Sequence, residues 1–405
     1  MTAFRSEDAT AEPAVQTGAA RLAADGFGLL RGKRVGLLTN HTGRVGNERL
    51  VDVVANARGV RLAAILTPEH GLSGTAEAGA KVAGGRDART GVRVLSLYGS
   101  TLKPTPAMLD GLDLLVFDMQ DIGTRFYTFI STMGLAMQAA AAARLPFVVL
   151  DRPNPLGGER VSGYVLEKPF ASFVGRYEIP ITHGLTVGEL ARMIAGERLL
   201  PGLDSLALEV VPISGWRRDM LLPATRLPWV PTSPNIPTFE TALAYAGTGL
   251  FEATAASEGR GTHSPFLQLG HPDIDAARIA ADAGRKGLSG YRVEAMHMTP
   301  RTIAGLATGP RFRDQQIPAV KLTITNASTY APVETGIHLL AAFAAALRSA
   351  GKGCLVVDAK AFGRLAGTQR LTDALARGTP ASEIVGSWNG ETRRFTERRA
   401  KYLSY

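Results

Sequence analysis

The stretch LDLLVFDMQDIG, residues 112–123, decides the fold. Leu114 to Phe117 form an apolar run that does not alternate with polar residues, and it ends abruptly in Asp118, Met119, Gln120 and Asp121. A strand with one wet face would alternate; a short continuous run is what a central strand covered by helices on both faces requires. Outward from it the pattern recurs in RVGLLTN (34–40), LAAILTPEHG (62–71), VRVLSLYG (92–99) and PFVVLDRPNP (146–155). Helical patterns near 16–29, 47–57 and 130–143 separate these runs. Strands alternating with helices in this way predict an α/β protein built on a doubly wound, mostly parallel sheet.

In such sheets ligands bind outside the carboxyl ends of the strands. Those ends are polar here: Thr39-Asn40-His41, Thr67-Pro68-Glu69-His70-Gly71, Asp118-Met119-Gln120-Asp121 and Asp151-Arg152-Pro153-Asn154. Any single one is explained by an Asn or Asp capping the next helix, but four on one rim point to a site. Glu69 follows a proline and precedes Gly71 and Gly74, a setting in which backbone approaches a ligand closely while the carboxyl faces a cleft. A partly buried carboxyl there is expected to have a raised pKa, as the proton donor of glycoside hydrolysis does. The plainer alternative is an ion pair with Arg125 or Arg152. Asp118 and Asp121 either add a carboxyl to the site or orient arginines and cap the helix starting near Phe126.

Residues 156–184 hold several Gly and Pro, have little helical period, and read as a crossing segment or small hairpin. GLTVGELARMI (184–194) then opens a helix at Thr186 with Glu189 completing a capping box, and LALEVVPI (206–213) reads as a strand. The five prolines of 222–238 demand an extended loop, and long irregular loops in compact domains are often functional. Helices near 239–246, 273–285 and 335–349, with strands YRVEAMHM (291–298), AVKLTITN (319–326) and GCLVVDA (353–359), make a second α/β or α+β layer. The expected division is a domain over 15–175 carrying the polar rim and a domain over 176–405 completing the cleft.

With 405 residues and 45% apolar side chains, the chain is long and greasy enough for large cores, which excludes disorder as its main state. The net charge of +9, from 45 basic against 36 acidic residues, is spread too thinly to argue for nucleic acid and suits any anionic substrate. The basic cluster ETRRFTERRAKYLSY (391–405) is most simply a solvated helix. Cys354 is the single cysteine, which rules out an intrachain disulfide and a zinc knuckle. No export signal is visible in residues 1–20, so the sequence reads as cytoplasmic as written, and as periplasmic or secreted if a leader is missing. The apolar stretch Met133–Leu150 is broken by Gln138, Arg144 and Pro146, and His338–Leu347 falls short of the roughly 20 residues a spanning helix needs, so no membrane span is expected. Glycine-rich dinucleotide, Walker, HExxH and GxSxG signatures are absent. A metal held by His41, Glu69, His70, Asp118 and Asp121 would match no known ligand spacing, so neither cofactor nor metal is expected.

Seven ordered segments resemble one family: TNHTG (39–43), TPEHGLSG (67–74), FDMQDIGTRFYTF (117–129), LDRPNPLGG (150–158), PITHGLTVGELA (180–191), PWVPTSPNIPT (228–238) and GTGLFEATAASEGRGTHSPF (247–266). The chain resembles the exo-β-N-acetylmuramidases of the NamZ type from about residue 30 to its end. That resemblance implies a hydrolase of cell-wall turnover that frees N-acetylmuramic acid from the non-reducing end of peptidoglycan fragments at its β-1,4 bond, without a cofactor. It also implies a Rossmann-like N-terminal domain and a second α/β domain with the site between them. The glutamate of the PEHG segment, Glu69 here, is implied as catalytic, with His70 and Asn154 lining the sugar subsite.

The chemistry of that substrate suggests further roles. Arg125, Arg152 or Arg260 would fork the lactyl carboxylate. Glu69 would protonate the leaving oxygen, with Glu258 the second candidate for the acid. Either Asp118 or Asp121 activates water from a carboxyl about 6.5–9.5 Å away, or the substrate's own acetamido group attacks, held by Asn154 or Asp121. Asn40, Tyr127 and Asn235 complete the expected contacts. Their bland rivals are loop satisfaction for Asn235, core packing for Tyr127 and helix capping for His183. A homodimer is left open. The competing classes are a non-hydrolytic muropeptide-binding or sensing protein, which has the same two-domain plan, and a nucleic-acid binder, supported by charge alone.

Overall fold

The computed structural model describes residues 14–283 and 288–405. Its strands are β1 (Arg34–Thr39), β2 (Arg44–Val45), β3 (Glu48–Arg49), β4 (Arg61–Thr67), β5 (Gly85–Arg86), β6 (Arg93–Ser96), β7 (Leu114–Asp118), β8 (Phe147–Leu150), β9 (Leu208–Val211), β10 (Gln268–Gly270), β11 (Tyr291–Met298) and β12 (Ile317–Ile324). Seven of them form one sheet in the order β5-β6-β4-β1-β7-β8-β9, parallel throughout except at the β5–β6 edge. β7 is buried at every residue and β1 at all but its first, as their unalternating sequences require.

The chain moves outward from β1 to β4 and β6, then returns to β7 on the other side of β1, so the direction of winding reverses at the centre. Helices Gly18–Ala24 and Leu50–Ala55 cover one face through Ala19, Leu22, Val51 and Val54. Helices Phe129–Ala142 and Val187–Gly196 cover the other. The second of these begins with the expected capping box, Thr186 accepting from the Glu189 amide and Glu189 accepting from the Thr186 amide. All four polar strand endings therefore emerge on one rim.

The C-terminal layer is an antiparallel sheet, β10-β12-β11, backed by helices Phe239–Thr248 and Pro332–Ser349. Those two helices touch through glycines: a Cβ on Gly336 would lie 2.5 Å from the Gly247 carbonyl carbon. The segment 156–184 is irregular, pinned by isolated bridges at Ser162–Thr182 and Ser172–Gly175.

Three expectations need adjustment. The sheet does not end at residue 175, because β9, at 208–211, pairs with β8. GCLVVDA is not a strand: Leu355 is buried and its carbonyl accepts from Ala255, Val357 is 66% exposed, and Asp358 caps the helix Ala359–Ala366. The C-terminal helix Asn389–Arg399 is not wholly solvated, since Arg399 is buried and donates to the carbonyls of Gly158, His183 and Gly184. The helix expected over 273–285 runs Ala276–Ala283, and residues 284 and 285 lie outside the described residues, as do residues 1–13 of the stretch searched for an export signal. Among the described residues no helix is long and apolar enough to cross a membrane.

Candidate active site

β4 delivers Glu69 and His70 to the rim. His70 takes a left-handed backbone conformation (φ 70°), followed by Gly71 at φ 74°, and this sharp exit turns the chain across the strand end. The Glu69 carboxylate is 8% exposed and held at both oxygens: Oε1 accepts from the Gly79 amide at 2.9 Å, and Oε2 from the Thr128 hydroxyl at 2.9 Å. His70 Nδ1 donates to the Ala76 carbonyl at 2.7 Å, pinning the loop that supplies Gly79. Tyr98 lies beside Glu69, and burial together with that carboxylate pushes its hydroxyl up to about 12.

Glu69 and His70 form one wall of a pocket of about 120 Å³. The floor is Phe126, Tyr127 and Thr128, where the chain enters the helix Phe129–Ala142. The opposite wall comes from the C-terminal half: Ser233, Asn235 and Ile236 of the proline-rich loop, Tyr245, Glu252, Arg260 and Phe266. Arg260 is clamped between two carboxylates, its Nε 3.0 Å from Glu258 Oε1 and its Nη2 on Glu252 Oε1, with its guanidinium 5.2 Å from the Phe266 ring centre. Burial opposes the charge on Arg260, yet the two carboxylates keep its pKa above the ordinary arginine value. Glu258 sits behind Arg260, and burial raises its pKa against the pull of that arginine. Tyr127 donates to Thr232 at 2.7 Å, and Asn235 Nδ2 to the Leu306 carbonyl at 2.8 Å. Among the described residues no group of three or more His, Cys, Asp or Glu side chains could hold a metal ion.

Residues 35–240 match the family model for the N-terminal part of the exo-β-N-acetylmuramidase NamZ, and residues 243–405 match that for its C-terminal part. The chain belongs to the NamZ family. It is 39% identical over 402 residues to the peptidoglycan β-N-acetylmuramidase NamZ of Bacillus subtilis (strain 168), covering 99% of this chain and 94% of that protein. Two crystal structures of DUF1343 family proteins from Bacteroides fragilis share its fold, each at 33% identity. One has a TM-score of 0.87 over 96% of this chain and 99% of its own; the other has a TM-score of 0.77 over 97% and 99%.

In this NamZ-family chain, Glu69, His70, Tyr127, Asn235 and Arg260 meet on one pocket, drawn from segments up to 191 residues apart in sequence. The other expected site residues serve the frame. Arg125 is fully buried and donates to the carbonyls of Tyr164, Ile179 and Leu365, which takes it away from any lactyl group. Arg152 is taken up by Asp118 in a two-point ion pair, so neither is presented to the pocket. Asn154 ties the β8 exit to the Leu185 carbonyl and the Leu156 amide, and Asn40 closes a turn onto Thr42. Asp121 accepts from the Gly123 amide beneath the floor. His183 is fully buried, with its Nδ1 accepting from Leu185; the helix that follows is capped by Thr186 instead. Burial and neighbouring Arg399 and Arg125 lower its pKa to about 3.

Thr128, Ser233, Tyr245 and Glu252 are pocket residues that the sequence reading did not single out. Glu252 had one available signal: it sits in the same irregular motif as Glu258, six residues before it.

Proposed function

We infer that this chain is an exo-acting β-N-acetylmuramidase that hydrolyses the β-1,4 bond of peptidoglycan fragments and releases N-acetylmuramic acid from their non-reducing end. Family membership supports the reaction. The observation that carries it into this molecule is that two carboxyl groups, Glu69 and Glu252, line one pocket. Glycoside hydrolysis needs such a pair, one to protonate the leaving oxygen and one to serve the anomeric carbon.

Glu69 is the proton donor in this reading. Its two hydrogen bonds, from the Gly79 amide and the Thr128 hydroxyl, fix the orientation of the carboxyl. Glu252 is the second carboxyl, oriented by Arg260 and lying 3.5 Å from the Tyr245 hydroxyl. It accepts a proton from the water that attacks the anomeric carbon, while the sugar bond electrons leave with the oxygen that Glu69 protonates. Arg260 spends its Nε and Nη2 on carboxylates, and its Nη1 donors are the cationic group open to the lactyl carboxylate. Ser233, Asn235 and Tyr127 supply neutral polar contacts, and the proline-rich loop that carries two of them closes the pocket on the side beyond the terminal sugar, as exo action requires.

The test is release of free sugars from N-acetylmuramyl-β-1,4-N-acetylglucosamine by the wild type, Glu69→Gln and Glu252→Gln. Either variant should lose about 10²–10⁴-fold in kcat. Undiminished turnover by Glu69→Gln would move the acid elsewhere, with Glu258 next in line.

A further inference from the structure

On the far side of His70 from the pocket lies an open groove of about 660 Å³, several times the volume of the pocket itself. The two share His70, and the loop after β4 divides them: Ala78 faces the pocket, while Ala76, Lys81 and Val82 face the groove. We propose that this groove is a second binding site, taking the leaving-group side of a glycan that carries carboxylates. The proposal rests on the reading above, in which the terminal sugar occupies the pocket.

Three features of the groove support it. The first is continuity, since a chain whose terminal residue occupies the pocket has the groove as an exit past His70. Charge is the second: Asp87, the one acidic side chain lining the groove among the described residues, is bound by Arg49 at 2.9 Å, and that pairing lowers its pKa to about 2. Lys81 and Arg86 are exposed on the same lining, and Arg86 spends one donor on the Gly91 carbonyl. Their cationic charge is uncancelled within the groove. The third is unmet polarity, because Thr67 Oγ1 borders the groove, buried and without a hydrogen-bond partner. His41 donates from Nε2 to the Pro231 carbonyl at 2.5 Å, and its Nδ1 edge is covered by Gly74. A neutral saccharide would meet no charge-bearing partner there. A chain whose next-but-one sugar bears a lactyl carboxylate or a peptide stem would meet Lys81 and Arg86.

The experiment compares wild type with the double variant Lys81→Ala/Arg86→Ala on two substrates. One is the muramyl–glucosaminyl disaccharide, whose leaving group is neutral. The other is the corresponding tetrasaccharide, with a second N-acetylmuramic acid carrying a free carboxylate. On the disaccharide the variant should keep kcat/KM within twofold, which also shows that it folds. On the tetrasaccharide kcat/KM should fall about three- to tenfold through KM, with the loss shrinking at high salt, because exposed charge pairs are weak and screened. Equal effects on both substrates would overturn the proposal.

Calorimetric binding of N-acetylglucosaminyl-N-acetylmuramic acid, the first two sugars of the tetrasaccharide's leaving group, separates this idea from the reaction itself. If the wild type cleaves neither substrate but binds that fragment in a way that depends on Lys81 and Arg86, the groove stands and the hydrolase reading falls. Cleavage of both, with no dependence on the two cations, removes the groove and leaves the hydrolase.

Discussion

Asp118 and Arg152 stand at the ends of adjacent parallel strands, β7 and β8, and grip each other through two bonds, Nε to Oδ1 at 2.6 Å and Nη2 to Oδ2 at 2.8 Å. Both side chains are buried, and Arg152 Nη2 also donates to the Arg44 carbonyl at 3.1 Å. The pair clamps β7 and β8 to the turn after β1. Two residues whose types suit catalysis are thereby committed to holding the rim that carries the proposed site.

Asp118→Asn leaves a buried guanidinium without its counter-charge and should cost about 3–5 kcal/mol of stability. Turnover per folded molecule should change little. Chemical denaturation beside a disaccharide assay checks both halves, and a variant as stable as wild type but inactive would return Asp118 to the chemistry. Adding Arg152→Met should recover part of the loss, because a double-mutant cycle then removes both members of the pair.

Arg125 is a second keystone. Its guanidinium bridges three carbonyls from separate segments, and Gly367 is required beside it, since a Cβ there would lie 2.5 Å from Nη2. Arg125→Lys cannot span that fan of acceptors. About 2–4 kcal/mol should be lost as carbonyls are left unsatisfied, while KM for the disaccharide holds. A raised KM in a variant of normal stability would instead mark Arg125 as a substrate contact.

Asp121 imposes a pH dependence on folding. Burial pushes its pKa up to about 7, opposed by the Gly123 and Ile122 amides, and its Oδ1 has no hydrogen-bond partner. In the unfolded chain an aspartate ionises near about 4. Between those values the folded state binds more protons than the unfolded, so stability falls as pH rises from about 4 to 7 and levels off above. Asp151, pushed up to about 6 by burial, acts in the same direction. Asp121→Asn removes its share, and the stability difference between variant and wild type should move in the variant's favour across that window. Urea unfolding at several pH values measures this, and a difference constant with pH would refute it.

Gly74 governs the proline-rich wall at a distance. Its φ is +72°, and a Cβ on it would sit 1.9 Å from the His41 ring, which in turn holds the Pro231 carbonyl. Gly74→Ala should cost about 1–2 kcal/mol from the left-handed backbone alone. Displacing His41 should also release the loop that carries Ser233 and Asn235, raising KM more than it lowers kcat. Steady-state kinetics would show an unchanged KM if His41 is not the hook.

The strands were legible because buried parallel strands leave a one-dimensional signature, and the Thr186–Glu189 cap because it spans only four residues. Glu69 was legible for the same reason: a Pro before it and glycines after it announce a strand exit. GCLVVDA misled because its apolar residues anchor a loop through Leu355 and take part in no ladder. The division of the polar rim was not legible. Asp118, Asp121, Arg125, Arg152 and Asn154 have the residue types of a sugar site, and their local sequence does not distinguish a carboxyl that meets substrate from one that meets an arginine on the next strand.

Sequence alone sufficed for the winding of the central sheet, the polar rim and the family, because each is written in contiguous residues. Only the tertiary structure decided which of the rim's charged groups face the pocket. It paired Asp118 with Arg152, sank Arg125 among carbonyls, and brought Glu252 and Arg260 from the C-terminal half to the pocket that Glu69 lines. The physical reason is that a buried charge is tolerated only where a partner meets it. For Asp118 that partner lies 34 residues away in sequence, and Arg125 draws its carbonyls from 39, 54 and 240 residues away, so proximity in space, and not order along the chain, assigns their roles.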